Sequence, residues 1–493
     1  MSASMKVYES LRERIRQHAD RLAVVCGPAR FRFSDLARET DRLVGAFSRL
    51  GITRRHVVGL ALPNQAMLAP AYLALCALDA AVALISTKYR NHELDAIVAH
   101  TGPRWILTGH AESADLTTSL KAQCVESRHI DAAEPLIALK IADLPDVSIP
   151  EDVALLKFTS GSTGQPKGIG LTADNVLAET ACVVDTLAVA PDDRILALVP
   201  LTHSYGFDLG VLASLSSGAC LHVGSGFIPR MTLQYLQSER ISIFLGVPPM
   251  YRSLIDTRLR ELPDLSGVRY LLSCTAPLSA ATIREFHERF GAVICQHYGS
   301  SETGAATNHV PSEVLNRMDS VGRPMAGVTV SIVDEHGRPV APGNVGEVIV
   351  SGPAVAPRYL MGQPLGRNPL QGGSYRTGEI GLLDDAGFLH LRGRIDHLIN
   401  VGGLKVGPDE VSAVLEQHPA VREAAVIGAK DAAGEEFVYA AVTLRSESDE
   451  SALIEFCGRH LAQYKVPRRI DIRDHLPRGA TGKVQLRPED IVI

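Results

Sequence analysis

The chain has 493 residues, 46% of them hydrophobic and 21% charged, with a net charge of −6. That length exceeds one ordinary compact core and predicts two or more domains. No long basic tract is present, which excludes a typical nucleic-acid binder and leaves small molecules or other proteins as expected partners.

The first twenty residues, MSASMKVYESLRERIRQHAD, are charged and amphipathic and lack the apolar run of a secretory leader, so export is not expected. Eight cysteines (Cys26, Cys76, Cys124, Cys182, Cys220, Cys274, Cys295 and Cys457) occur singly, without the CxxC pairs of zinc or redox sites. They read as reduced, mostly buried thiols of a cytoplasmic protein. Residues 57 to 85 are apolar enough to suggest a membrane span, but Pro63, Asn64, Gln65, Pro70 and Asp79 interrupt them before the ~20 residues a span needs. A strand, a turn, a buried helix and a second strand are expected there.

From VVGLAL through AMLAPAYLALCALDA, AVALIS and HELDAIVAHTG to RWILTG, strand-length apolar runs alternate with helical patterns. This predicts an α/β class with βαβ-type parallel sheets covered on both faces. Past residue 320, strands punctuated by Gly and Pro (VTVSIVDEHGRPVAPG, EVIVSG) predict an antiparallel β subdomain. Beyond residue 394 a helix at 408–416, strands EAAVIGA and VYAAVTLR, a helix at 450–462 and a strand RIDIRD make a small α+β domain. The expected division is an N-terminal domain of residues 1–393 and a C-terminal domain of 394–493, with no internal repeat.

Residues 159 to 168, TSGSTGQPKG, follow the apolar strand VALLKF and precede a helix, LTADNVLAETACVV, for which Thr172 is the expected N-cap. Such a strand-to-helix turn suits a polyphosphate: glycines let backbone amides approach an anion, hydroxyls add hydrogen bonds, and Lys167 adds a mobile charge. Composition alone fits a Ser/Gly linker about as well; the position between strand and helix favours phosphate. The stretch is not a P-loop, because Lys167 lies between Pro166 and Gly168.

The loop resembles the signature of the adenylate-forming superfamily of acyl- and aryl-CoA synthetases, adenylation domains and luciferases. Further motifs of that family follow in order over nearly the whole chain: PLTHSYG (200–206), HYGSSETG (297–304), SVGRPMAGVTVSIVDEHGRPVAPGNVGEVIVSGP (320–353), YRTGEIGLLDD (375–385), GRIDHLINVGGLKVGPDEV (393–411) and PRGATGKVQLR (477–487). The resemblance implies attack of a carboxylate on the α-phosphate of ATP, giving an acyl-adenylate and pyrophosphate, then transfer of the acyl group to an external thiol. The implied cofactors are ATP, Mg2+ and coenzyme A, or the phosphopantetheine arm of a carrier protein.

On this resemblance Thr159, Ser160, Gly161, Ser162, Thr163, Gly164 and Lys167 cradle the β- and γ-phosphates, and Glu302 holds the metal. Tyr298 stacks on adenine in a slot kept narrow by Gly299, Ala276 and Pro277, with His297 beside it. Ser301 stands where the family usually has Thr and keeps a hydroxyl for the α-phosphate. Glu379 replaces the usual Asp on the ribose hydroxyls, a longer reach in a site where ~1 Å matters. Arg394 contacts phosphate or ribose, Asp396 is the hinge of a mobile C-terminal domain, Lys483 enters for adenylation and Lys405 for thioester formation. His203 is the gate beside the acyl carboxylate. Ser204, Tyr205, Phe207, Asp208, Val247, Cys295 and Ser300 line the substrate pocket.

Taken singly, most of these have blander readings: Glu302, Arg394 and Asp396 as surface charges, Tyr298 and His203 as core residues, Asp208 as a solvated or capping carboxylate. Asp208 in a pocket would instead hold an ammonium and favour an amino acid. The expected enzyme is an acyl- or aryl-CoA ligase. A freestanding enzyme loading a carrier protein, a non-catalytic nucleotide-binding regulator with Glu379 as a sign of decay, and a luciferase-like oxidase are the alternatives.

Overall fold

The computed structural model describes residues 3–491 except 55, 90, 121–122, 143–146, 148, 161–165, 363–367, 402–403, 432–434, 479–483, 485 and 487–489. Two large sheets dominate. In the first, the strands Leu22–Cys26, Cys220–Val223, Arg194–Ala197, Ile243–Gly246, Tyr270–Ser273 and Ile294–Ser300 run parallel side by side. Antiparallel strands close both margins, Ala29–Arg32 on one side and Gly304–Asn308 with Arg323–Pro324 on the other. In the second sheet, Trp105–Gly109, Val57–Ala61, Ala81–Leu84 and Val153–Ser160 are parallel. Its margins, Leu136–Ile141 with Cys124–Ile130 and Pro166–Thr172 with Arg358–Met361, are antiparallel.

The sheets are therefore mixed rather than purely parallel. Apolar strands buried on both faces, such as Val57–Ala61, form their centres. Helix Leu68–Ala77 is buried nearly along its whole length, which explains the membrane-like apolarity of residues 57 to 85. Among the described residues no helix is long and apolar enough to cross a membrane. The expected antiparallel subdomain is present as a five-stranded sheet of Thr329–Val333, Gly346–Ser351, Leu370–Gln371, Ser374–Leu383 and Leu389–Arg394.

One expectation is overturned. TSGSTGQPKG joins two antiparallel strands, with Thr159 opposite Lys167 and Ser160 opposite Pro166; it is not a strand-to-helix turn. Ile169 and Leu171 are buried and alternate with Gly168 and Gly170, whose bare backbones let Met361 and Leu360 pack where a Cβ would sit. That packing extends the strand to Thr172. The helix Ala173–Leu187 begins only then, and Thr172 does cap it, accepting from the Asn175 amide.

At the C-terminus, helices Pro408–Leu415 and Glu450–His460 cover the sheet of Val421–Lys430, Glu436–Leu444 and Arg469–Ile472, around a core of their own. This unit rests on helices Pro248–Asp256 and Ala280–Phe290 through Arg252, which pairs with Glu416 at 3.2 Å and Glu423 at 3.0 Å, and through Arg445 to Glu285 at 2.6 Å. The eight cysteines are free and six of them are buried.

Burial holds His222, His297 and His309 neutral, each lowered to about 4 from the usual 6.5. Folded histidines that resist protonation contribute fully above the unfolded value near 6.5, and that contribution is lost progressively as pH falls toward 4. Stability is expected to drop over that window by ~1.4 kcal/mol per pH unit for each proton taken up by the unfolded chain alone. Thermal melts of the protein and of His222→Gln between pH 7 and 4 check this, the variant showing the shallower dependence.

Candidate active site

Several of the candidate residues among those described gather where the Val153–Thr172 hairpin, the segment after Pro200 and the Ile294–Asn308 hairpin meet. Lys167 is half-buried on the second strand of its hairpin and Thr159 faces it across the pair. Gly161, Ser162, Thr163, Gly164 and Lys483 lie outside the described residues, as do the side chains of Ser160, Asp396 and Lys405.

Glu302 is buried, not a solvated loop charge. Its Oε1 accepts a 2.9 Å hydrogen bond from the Tyr359 hydroxyl, and its backbone carbonyl accepts from the Ala356 amide. Burial, then the Glu302 charge, pushes both Tyr359 and Tyr375 well above the ordinary tyrosine value. Tyr359 carries no sequence signal of its own, because only the pairing of Arg358–Met361 with Pro166–Thr172 brings it near Glu302. Among the described residues no group of three His, Cys, Asp or Glu could hold a metal. A single positioned carboxylate nevertheless fits Mg2+, which takes one or two carboxylates together with substrate phosphates and water.

Ser204 and Ser301 meet hydroxyl to hydroxyl at 2.7 Å, tying the gate segment to the motif that carries Glu302. His203 caps the short helix after it, its Nδ1 accepting from the Tyr205 amide at 3.3 Å. Gly206 is required here, since a Cβ would lie 2.4 Å from the Pro200 carbonyl oxygen. The Tyr205 and His297 rings stack with centroids 5.9 Å apart, and His297 Nδ1 lies 3.1 Å from Asn308 Oδ1.

The residues expected at the nucleotide converge as well. Burial, followed by the Glu379 charge and a hydrogen bond to Glu379, pushes the Tyr298 phenol well above its usual value. Glu379 sits opposite Arg394 in strand register, 4.0 Å from its guanidinium, and the Glu379 amide donates to Thr377 Oγ1 at 3.0 Å. The longer carboxylate thus reaches both Tyr298 and Arg394. At Gly299 a Cβ would meet the Gly304 carbonyl oxygen at 2.3 Å, so the hairpin turn admits no side chain there. Ser300 bonds the Thr303 hydroxyl at 3.2 Å and closes that turn.

Ala276 and Pro277 follow Thr275, a β-branched residue at φ 74°. Left-handed backbone at such a residue stores ~1–2 kcal/mol of strain and clusters at functional sites.

Four pocket candidates turn elsewhere. Phe207 packs edge-on against Tyr72 with centroids 4.9 Å apart, and Cys295 is enclosed in the core, its thiol pushed up to about 12 by burial. Asp208, read as solvated or capping, is buried and binds an ammonium, that of Lys157 at 2.5 Å. Val247 caps helix Pro248–Asp256 at the edge of the same core.

Replacing Thr275 with Gly is expected to stabilise the fold by about 1 kcal/mol through relief of the left-handed strain. Thermal unfolding of Thr275→Gly checks this; an unchanged or lower Tm contradicts it.

Residues 11–360 match the model of the AMP-binding enzyme family, and residues 410–483 that of the AMP-binding enzyme C-terminal domain. An oxalate–CoA ligase of Arabidopsis thaliana is 32% identical over 476 residues, 92% of each chain. A feruloyl-CoA synthase of an Amycolatopsis species is 30% identical over 485 residues, 96% of each. Among solved structures, the o-succinylbenzoate CoA synthetase of Bacillus subtilis in complex with its acyl-adenylate intermediate superposes with a TM-score of 0.80 at 26% identity, covering 96% of both chains.

Proposed function

The chain belongs to the AMP-binding enzyme family of adenylate-forming ligases, and from that premise we propose which residues carry each step and which acceptor it uses. It is an AMP-forming acid–thiol ligase: a carboxylic acid is activated as the acyl-adenylate and then becomes a thioester. The non-catalytic regulator is set aside. Coenzyme A is the acceptor, a reading supported by the CoA ligases and synthetases among its relatives, and an acyl or aryl acid is the substrate.

The observation that carries the assignment of roles is the convergence of Glu302, the Ser204–Ser301 contact, and the Tyr298–Glu379–Arg394 group on one region. Thr159 to Gly164 and Lys167 hold the β- and γ-phosphates. Ser301 bonds the α-phosphate, and Tyr298, Gly299 and the Ala276–Pro277 turn bound the adenine slot. Glu379 accepts from the ribose hydroxyls, with the Arg394 guanidinium 4.0 Å from its carboxylate. Glu302, fixed by Tyr359, would hold Mg2+, which when bound would disperse the negative charge of the phosphates. His203 closes over the acyl carboxylate, with Ser204 and Tyr205 beside it.

Lys483 enters to stabilise charge developing on the α-phosphate during adenylation. The domain beyond residue 393 then turns about Asp396 and brings Lys405 to the site as the thiol enters, a closure that shields the adenylate from water. That turn must break the Arg252 pairs with Glu416 and Glu423. A cytoplasmic setting supplies both ATP and coenzyme A.

Lys483→Ala is expected to lower ATP–pyrophosphate exchange on the order of 100- to 1000-fold while leaving conversion of a preformed adenylate to its thioester largely intact. Loss of both half-reactions sinks the alternating role. Exchange measured across fatty, aryl and amino acids, followed by product analysis with coenzyme A or a phosphopantetheinylated carrier protein, fixes substrate and acceptor. Thioester formed only on the carrier contradicts the coenzyme A assignment.

A further inference from the structure

Beneath the candidate active site lies a buried charged cluster that none of the roles above uses. Lys157, on the strand leading into the phosphate loop, Glu179, on the helix that follows the returning strand Pro166–Thr172, and Asp208, one turn past Ser204, are 4%, 4% and 2% exposed. Lys157 Nζ donates to Asp208 Oδ2 at 2.5 Å. Glu179 accepts the Ala305 amide at both carboxylate oxygens, 2.8 and 3.0 Å, and its carboxylate fills the space in which a side chain on Gly304 would sit. All three line a cavity of about 10 Å³ together with Ser301, Gly304 and Asn175. Asp208 Oδ1 has no hydrogen-bond partner among the described residues. A single ordered water would fit this volume and satisfy that oxygen.

We propose that Lys157, Asp208 and Glu179 are positioning residues for adenylation, holding the phosphate-loop strand, the gate segment and the Ser301–Ala305 turn in one fixed register. The proposal rests on the adenylation roles given to Ser301, Glu302 and His203. Each member of the cluster reaches a different part of that machinery. Lys157 lies two residues before Thr159. Asp208 lies four residues after Ser204, on the same helical face, and Ser204 bonds Ser301. Glu179 pins Ala305, three residues after Glu302.

Burying three ionisable groups is costly, and apolar residues of similar volume would hold these elements together at least as stably. The cluster therefore contributes geometry rather than net stability. Burial, and next to it the Asp208 charge, pushes Glu179 up to about 8, against the opposing pull of Lys157. A protonated Glu179 leaves the cluster neutral beneath a polyphosphate, and a neutral amide oxygen in its place would accept the same Ala305 hydrogen bond.

The test measures ATP–pyrophosphate exchange and Tm for the intact protein, Glu179→Gln, Glu179→Ala, and the apolar double variant Lys157→Met with Asp208→Leu. Wild-type exchange with at least one acid is the prior condition, and its absence would count against the adenylation reading rather than against the cluster. Glu179→Gln is expected to stay within about threefold of wild type, whereas Glu179→Ala and the double variant lose about tenfold or more in kcat with acid KM nearly unchanged and the fold retained. Full activity in the folded double variant overturns the proposal. So does a Glu179→Gln as slow as Glu179→Ala, and so does loss of folding in all three, which would leave the cluster a purely structural role.

Discussion

A lysine ammonium and an aspartate carboxylate 2.5 Å apart, both shut away from water, form the contact about which the catalytic half of this protein is arranged. Neither charge survives burial alone: removing one partner leaves an uncompensated ion whose desolvation costs several kcal/mol. The pair therefore fixes the distance between the strand that enters the phosphate loop and the segment that carries His203 and Ser204. Glu179 extends the constraint to the turn after Glu302 through the Ala305 amide. Loops that must hold five or more oxygens of one polyphosphate gain their precision from such a buried tie, because loop backbones by themselves do not supply it.

A second layer of support is made of tyrosines. Tyr359 donates to Glu302, and Tyr298 bonds Glu379, so both carboxylates proposed for the nucleotide are held by phenols that burial keeps protonated. Glu379 reaches both Tyr298 and Arg394, which sit on different strands. The Arg252 pairs set the C-terminal unit against helix Pro248–Asp256.

Much of this was legible in the residues. Alternating apolar runs marked the strands of both sheets because their centres are buried on two faces, and helices Pro408–Leu415 and Glu450–His460 fall where their patterning places them. Ordered motifs identified the family. Local patterning did not reveal that TSGSTGQPKG joins two antiparallel strands, because that outcome depends on Met361 and Leu360 packing over Gly168 and Gly170 from nearly two hundred residues away. Asp208 was misjudged as solvated for a similar reason: its partner, Lys157, sits in an apolar strand fifty-one residues earlier, where a lysine carries no label. Tyr359 was invisible because its role arises only from strand pairing, and Thr275 because left-handed backbone at a β-branched residue has no signature in composition.

The central claim is that the acid's carboxylate attacks the α-phosphate of ATP. It is tested most directly by turning over an acid labelled with 18O in both carboxylate oxygens, in the presence of coenzyme A, and analysing the products by mass spectrometry. One labelled oxygen recovered in AMP is the result this account predicts. Label in inorganic phosphate with formation of ADP, or unlabelled AMP, would contradict it.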